Sequence, residues 1–307
     1  MKNNVFTGHF KIWLSISGII VLAAIVMSLF GAGMNMGIDF TGGSLLEYEM
    51  GQAFEISDVE EALRQQGVAE YQIAKAGTEQ TQLQVRVKLI EDSDDMRLGF
   101  EEALMEKYPD MSFITISHVG AVAGQDLIRN AILSMLIVFA CLLVYIAIRF
   151  DFYSGLAALV ALLHDMLIMM SFMVFFSSLY QVNSSFIAAM LTIVGYSINN
   201  TIIIFDRIRD SKKMSQFFKD TNMAIVEYSV SRTITRTLNT TITTLLTLVT
   251  LYVLGVDSIK EFAFPLIIGM LAGTYSSVLL SGQIWATWRD NNTFGKLASI
   301  FRKEAKA

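Results

Sequence analysis

Val194-Gly-Tyr-Ser-Ile-Asn-Asn-Thr-Ile-Ile-Ile-Phe-Asp-Arg-Ile-Arg209 is an apolar helix with two adjacent amides, Asn199 and Asn200, set inside it. Charge returns abruptly at Asp206, Arg207 and Arg209, at the cytoplasmic end of the segment. Hydrocarbon offers an amide no hydrogen bond, so polar groups at membrane depth face other helices or a water-filled path. The segment predicts a polytopic membrane protein with a buried polar site.

Composition points the same way. The chain has 307 residues, 53% of them hydrophobic and only 17% charged, with a mean hydropathy of +0.51. That excludes a disordered chain and speaks against an ordinary soluble domain. The single Cys141 lies in an apolar run, and the three histidines are scattered. No ligand spacing emerges, so neither a metal site nor a cofactor is expected. No nucleophile arrangement or phosphate loop is visible, so an enzyme is not expected either.

The net charge of −5 conceals a division. Gly37 to Arg129 holds 18 acids and 7 bases, a balance of −11, whereas the remainder holds 10 acids and 16 bases, a balance of +6. An acidic water-soluble domain is thus inserted into a basic-flanked membrane protein. Nucleic acid is disfavoured as a partner, because no basic face is available to meet phosphates.

The uncharged run Trp13 to Phe30 is long enough to cross a ~30 Å hydrocarbon core, and longer than a signal-peptide core. We read it as a retained anchor. Asn130 to Ile148 is a second span. Met166 to Phe205 is too long for one helix and is broken by the polar patch Ser177 to Ser185, so it forms a hairpin whose first helix starts near Ser154. Thr237 to Val256 and Phe262 to Trp288 complete six spans. With a cytoplasmic N-terminus, fifteen Lys/Arg fall in cytoplasmic segments and only Lys260 in the short external loops. The positive-inside rule then predicts both termini cytoplasmic and the acidic domain outside.

Within the insert, Ser44 to Met50, Tyr71 to Lys75, Thr81 to Leu89 and Ser112 to Ser117 read as strands. Leu83, Val85, Val87 and Leu89 alternate onto one face. Ser57-Asp-Val-Glu60 reads as a capping box opening a helix to Gln66, and Ser93-Asp-Asp precedes a second helix to Tyr108. The order βαββαβ predicts a ferredoxin-like α+β domain. The expected divisions are 1–31 (N-terminus and first helix), 37–126 (external domain), 127–289 (five-helix membrane domain with a cytoplasmic loop 206–236) and 290–307 (tail). The loop, with Phe217-Phe218 amid Lys and Asp, reads as an amphipathic surface helix.

Four ordered motifs now resemble a known family. Gly37-Ile-Asp39-Phe40-Thr41-Gly42-Gly43 is similar to the G-x-D-F-x-G-G signature of the SecD/SecF protein-export membrane subunits, and within that family to its SecF members. Gly195 to Thr201 with Phe205 to Arg209, Leu163-His-Asp165, and Ser231 to Thr237 resemble its other polar segments. The resemblance implies an auxiliary subunit of the Sec translocase in the bacterial cell membrane. It implies SecD and the SecYEG channel as partners, a translocating polypeptide as cargo and the proton motive force as energy source, with the chain as half of a twelve-span unit of the resistance-nodulation-division superfamily.

Each site residue has a plain structural reading beside the functional one. Gly42 and Gly43 form either a tight turn capped by Asp39 and Thr41 or a hinge between domain and membrane. Asp165 lies roughly 16 Å into its span. It either hydrogen-bonds another helix, with His164 and Ser171 nearby, or handles a proton. Arg236 heads a ladder of Thr237, Thr240, Thr241, Thr244 and Thr247, a face turned to helices or water. The resemblance associates Arg236 with proton transport. Asn200 stands where the family pattern has Asp, and an amide does not titrate. Three arrangements stay open: the carrier is an aspartate of SecD, Asp165 takes part, or coupling is weak. The first is favoured. Gly269 to Gly273 suits close helix packing. The rivals are a stand-alone small-molecule or lipid exporter and a purely structural assembly subunit.

Overall fold

The computed structural model describes residues 6–31, 33–68, 71–76, 81–87, 93–214 and 221–291. In chain order the elements are α1 (Phe10–Leu29), the short α2 (Ile38–Thr41), β1 (Gly43–Glu49), α3 (Ile56–Gln65), β2 (Tyr71–Ala76), β3 (Gln82–Val87), α4 (Ser93–Met105) and β4 (Ser112–Val119). There follow α5 (Ala121–Arg149), α6 (Phe152–Phe175), α7 (Ser184–Lys212), α8 (Asn222–Leu254), α9 (Asp257–Ser276), a π-helical turn (Ser277–Ser281) and α10 (Gly282–Asp290).

Six helical stretches are long and apolar enough to cross a membrane: α1, α5, α6, α7, α8 and the run from α9 through α10. An apolar chain closes its own backbone hydrogen bonds as helix because lipid supplies no partner. α6, α7 and the α9–α10 run form the interior of the bundle, whereas α1, α5 and α8 turn most of their side chains outward. One apolar cluster packs Leu162, Val194, Phe205, Val226 and Trp285. The other, nearer the sheet, packs Met169, Met173, Phe186, Ile193 and Met270. Glycine makes the central crossing possible. A Cβ on Gly269 would lie 2.5 Å from Met169 Sδ, and one on Gly273 would lie 2.9 Å from Ser197 Cβ. The small-residue pattern therefore packs α9 against α6 and α7 of its own bundle.

The inserted domain is an antiparallel sheet in the order β2-β3-β1-β4, as a βαββαβ chain requires. Leu83, Val85 and Val87 are buried on the helix-covered face with Leu46, Tyr48, Phe100 and Leu104. Leu89 lies outside the described residues.

The structure corrects three expectations. The capping box is not used: α3 begins at Ile56 after Glu55, with no side-chain cap. Its start is fixed from outside, because the Glu55 N–H donates to Tyr108 Oη at 3.2 Å and Asp58 accepts from Tyr108 Oη at 2.5 Å. The division expected at 126 falls inside a helix, since α5 runs unbroken from Ala121. The loop 206–236 is not a surface helix. α7 continues to Lys212 and α8 begins at Asn222, because Ile225, Val226 and Val230 are buried against Phe205 and Trp285. Phe217-Phe218 falls outside the described residues.

Candidate functional site

The first site is the joint between sheet and bundle. Gly37 to Gly43 makes one helical turn and then reverses into β1, with Gly42 at φ 71° and Gly43 at φ 131°. Only glycine takes up both angles without strain. A Cβ on Gly43 would also sit 2.6 Å from the Val87 carbonyl oxygen of β3. Around this turn the motif makes three attachments. Phe40 is buried among Met169, Phe186 and Leu266 of the bundle. The Gly37 N–H donates to Val182 O at 2.8 Å, and the Val182 N–H donates to Asn35 O at 2.7 Å. Asp39 accepts from the Ser184 N–H at 2.7 Å, placing a carboxylate on the positive end of α7. The motif is thus a tight turn that joins sheet to bundle, and Asp39 caps a distant helix rather than its own turn. Thr41 does stay local, donating to Gly37 O at 3.2 Å.

Beneath the sheet a cavity of about 740 Å³ opens onto the joint, lined by Asp39, Glu47, Arg86, Ser117, Lys260 and Glu261. Burial pulls the Arg86 guanidinium below its ordinary value, against the carboxylates of Glu261, Asp39 and Glu47, which favour the charge.

The second site is a polar centre inside the bundle. Asp165 of α6 is buried and accepts from Ser197 Oγ of α7 at 2.6 Å. It lies 3.0 Å from His164 Nδ1, and the other ring nitrogen of His164 lies 2.8 Å from Ser17 Oγ of α1. Tyr275 of α9 stacks on the imidazole at 5.8 Å and donates to Trp13 O at 2.5 Å. The carboxylate is therefore tied to α7 and, through His164, to α1. A bare carboxylate at this depth costs ~2.5–3.5 kcal/mol, and these hydrogen bonds are what offsets it. Ser171 does not take part, since it donates to Leu167 O of its own helix.

The four residues expected at one polar site are not brought together. Asp165 and Asn200 point inward, whereas Asn199 and Arg236 lie on the outside of the bundle. Neighbours on a helix are rotated by about 100°, and here that rotation turns Asn200 into the bundle and Asn199 out of it. Among the described residues Asn200 Oδ1 and Nδ2 have no hydrogen-bond partner, and neither has Thr237 Oγ1. The threonine ladder divides likewise. Thr237 and Thr241 are buried, with Thr241 bonded to Thr274 at 2.8 Å and to Tyr196 Oη at 2.8 Å, while Thr240 and Thr247 face out.

At the far end of α7, Asp206 bridges Arg149 at 3.2 Å and Arg209 at 2.9 Å. Arg207 instead lies over the Tyr228 ring, 5.6 Å from its centroid. Sequence reasoning missed Glu227, which is buried and accepts from the Thr7 N–H and Thr7 Oγ1, both at 2.8 Å. It also missed Ser17 and Ser197. A hydroxyl in an apolar helix is too common a signal to single out.

The geometry defines a class: a protein with six membrane-length helices whose sheet domain is seated on the bundle through a glycine turn. The family model described as "Protein export membrane protein SecD/SecF, C-terminal" matches residues 100–291, and that described as "SecD/SecF GG Motif" matches residues 28–53. The chain belongs to the SecD/SecF family of protein-export membrane proteins. It is 34% identical to the protein translocase subunit SecF of Acidaminococcus fermentans over 94% of this chain and 98% of that one. It is 32% identical to the protein translocase subunit SecDF of Bacillus subtilis, covering 92% of this chain but 38% of that protein. The crystal structure of SecDF from Thermus thermophilus, titled a translocon-associated membrane protein, superposes with a TM-score of 0.82 at 28% identity, covering 93% of this chain and 38% of that chain.

Proposed function

We propose that this chain is an auxiliary subunit of a bacterial Sec protein translocase. It works beside a SecD-like half and couples the proton motive force to late steps of polypeptide export through the SecYEG channel. In this reading the sheet domain is extracytoplasmic and both termini are cytoplasmic. The observation that carries it is the unfinished face of the bundle. Asn199, Arg236 and Thr240 are exposed on α7 and α8. Arg236 lies about 27 Å along α8 from Leu254, still within a ~30 Å hydrocarbon core. An arginine facing lipid there is costly, so this face calls for a second protein half.

The relatives supply the matching half, since two proteins that align with this chain are SecDF fusions more than twice its length. Asn200 cannot carry a proton. The proton therefore moves on the partner's carboxylates at the seam, with Arg236 setting their charge, while Asp165 holds α6, α7 and α1 in register behind it.

Replacing Arg236 with Lys keeps one charge but loses the planar fork of donors. The variant is expected to co-purify with SecD in mild detergent while exporting less protein. Unchanged export by an intact complex would refute a coupling role and leave a structural subunit.

A further inference from the structure

The acids at the end of the bundle opposite the sheet are already engaged. Asp206 holds Arg149 and Arg209, Asp151 holds Arg289 at 2.5 Å, Asp210 lies 3.9 Å from Lys213, and Glu227 holds the backbone at Thr7. Arg207 of α7 and Arg232 of α8 are left with no carboxylate among the described residues. Both lie over one aromatic ring: their guanidinium carbons are 5.6 Å and 5.4 Å from the centroid of Tyr228. Arg207 Nε is buried and donates to nothing among the described residues. Two cations share one ring, and among the described residues neither meets a carboxylate.

Depth identifies the acceptor. Arg207 is about 35 Å along α7 from Ser184, and Arg232 about 33 Å along α8 from Leu254, at 1.5 Å per residue. Both exceed the ~30 Å hydrocarbon thickness, so the pair stands at the level of the lipid phosphates in the leaflet opposite the sheet. A guanidinium matches phosphate geometry with parallel N–H donors, and a tyrosine ring suits the interface. Arg236, one turn further in, does not reach that level.

We propose that Arg207, Arg232 and Tyr228 form a binding site for the phosphate headgroup of an anionic phospholipid.

The test is native mass spectrometry of the full chain released from detergent containing phosphatidylglycerol or phosphatidylcholine. Wild type is expected to retain phosphatidylglycerol preferentially. The double variant Arg207→Gln/Arg232→Gln is expected to lose that preference on the order of thirty-fold, from ~1 kcal/mol per arginine near the surface. Lys213→Gln removes a charge from the same end without touching the ring, and is expected to retain the lipid. Equal losses in both variants would overturn the proposal in favour of a diffuse basic surface. So would competition by inorganic phosphate as effective as by the lipid, which indicates a free-anion site. Loss of bound phosphatidylglycerol when the SecD-like half is co-purified would overturn it too, because a partner carboxylate then fills the cleft. An unchanged melting temperature in the double variant confirms that the comparison is between folded chains, and Arg207→Lys/Arg232→Lys is expected to restore part of the preference.

Discussion

Asp39→Ala tests whether the signature turn holds the membrane bundle or merely shapes a loop. In the structure the Asp39 carboxylate receives the Ser184 N–H at 2.7 Å, at the first residue of α7. The orphan amides of that end have one other cap, Asn183, which accepts from the Phe186 N–H at 3.2 Å. Losing a carboxylate from a helix N-terminus costs about 1–2 kcal/mol, combining the missing acceptor with the helix dipole. If the end frays as a unit, that cost appears as a roughly five- to thirty-fold rise in amide exchange for peptides covering 182–188. Asp39→Asn keeps an acceptor but not the charge, and is expected to fall between the two because a neutral bond has about half the strength. Hydrogen exchange read by mass spectrometry on the full chain in detergent resolves these peptides. The start of α6, capped by Asp151 on Ser154 N–H at 2.7 Å, is the internal reference and is expected to stay unchanged. Exchange at 182–188 within twofold of wild type in Asp39→Ala would refute the cap, and with it the coupling of the joint to α7.

Two further outcomes follow from the sheet domain. Gly43→Ala places a Cβ 2.6 Å from the Val87 carbonyl at φ 131°, and is expected to cost about 3 kcal/mol, whereas Gly67→Ala, at φ 73° in open space, is expected to cost about 1 kcal/mol; equal melting temperatures for the two variants would contradict this. The Lys107 ammonium at 2.6 Å, with the Tyr108 hydroxyl, holds the Asp58 carboxyl below its usual range. A depressed folded pKa contributes stability above the ordinary carboxylate value and loses it as pH falls through the folded one. Acid unfolding is therefore expected to show a shallower pH dependence in Asp58→Asn than in wild type, and superimposable acid limbs would rule the contribution out.

The spans and the sheet were legible because both rest on periodicity. Uncharged apolar runs in α1 and α5 permit little but helix, and the alternation of Leu83, Val85 and Val87 fixes one face of β3. Contacts that join distant segments left no such trace. Asp39 reads as a local turn cap until the chain brings Ser184 to it, and Ser57 reads as a cap although Tyr108, just beyond α4, sets where α3 begins. The paired amides announced a polar site, but neighbours on a helix point about 100° apart, and here only Asn200 is turned inward. Nothing in the order of Asn199 and Asn200 says which one the bundle buries. The threonines of α8 divide for the same reason, at positions set by the crossing of α9 rather than by their own spacing.

α7 connects what these sites do. Its first residue is held by Asp39, and about 20 Å further in Ser197 holds Asp165. Consider a displacement of the sheet domain along this helix. The joint resists it through several contacts acting together: the Asp39 cap, the backbone bonds of Gly37 and Val182, and Phe40 in its apolar socket. Burying an aromatic of that size contributes about 1.5–3 kcal/mol, the cap about 1–2, and each backbone bond about 0.5–1.5. The Ser197–Asp165 bond, one contact to a charged group, contributes about 1.5–3 kcal/mol. The joint is the stronger of the two attachments, so a strain applied from outside reaches the polar centre before the outer contacts yield. Removing both Asp39 and Phe40 would erase that difference, leaving at the joint two backbone bonds that together contribute about 1–3 kcal/mol, no more than the single Ser197–Asp165 contact.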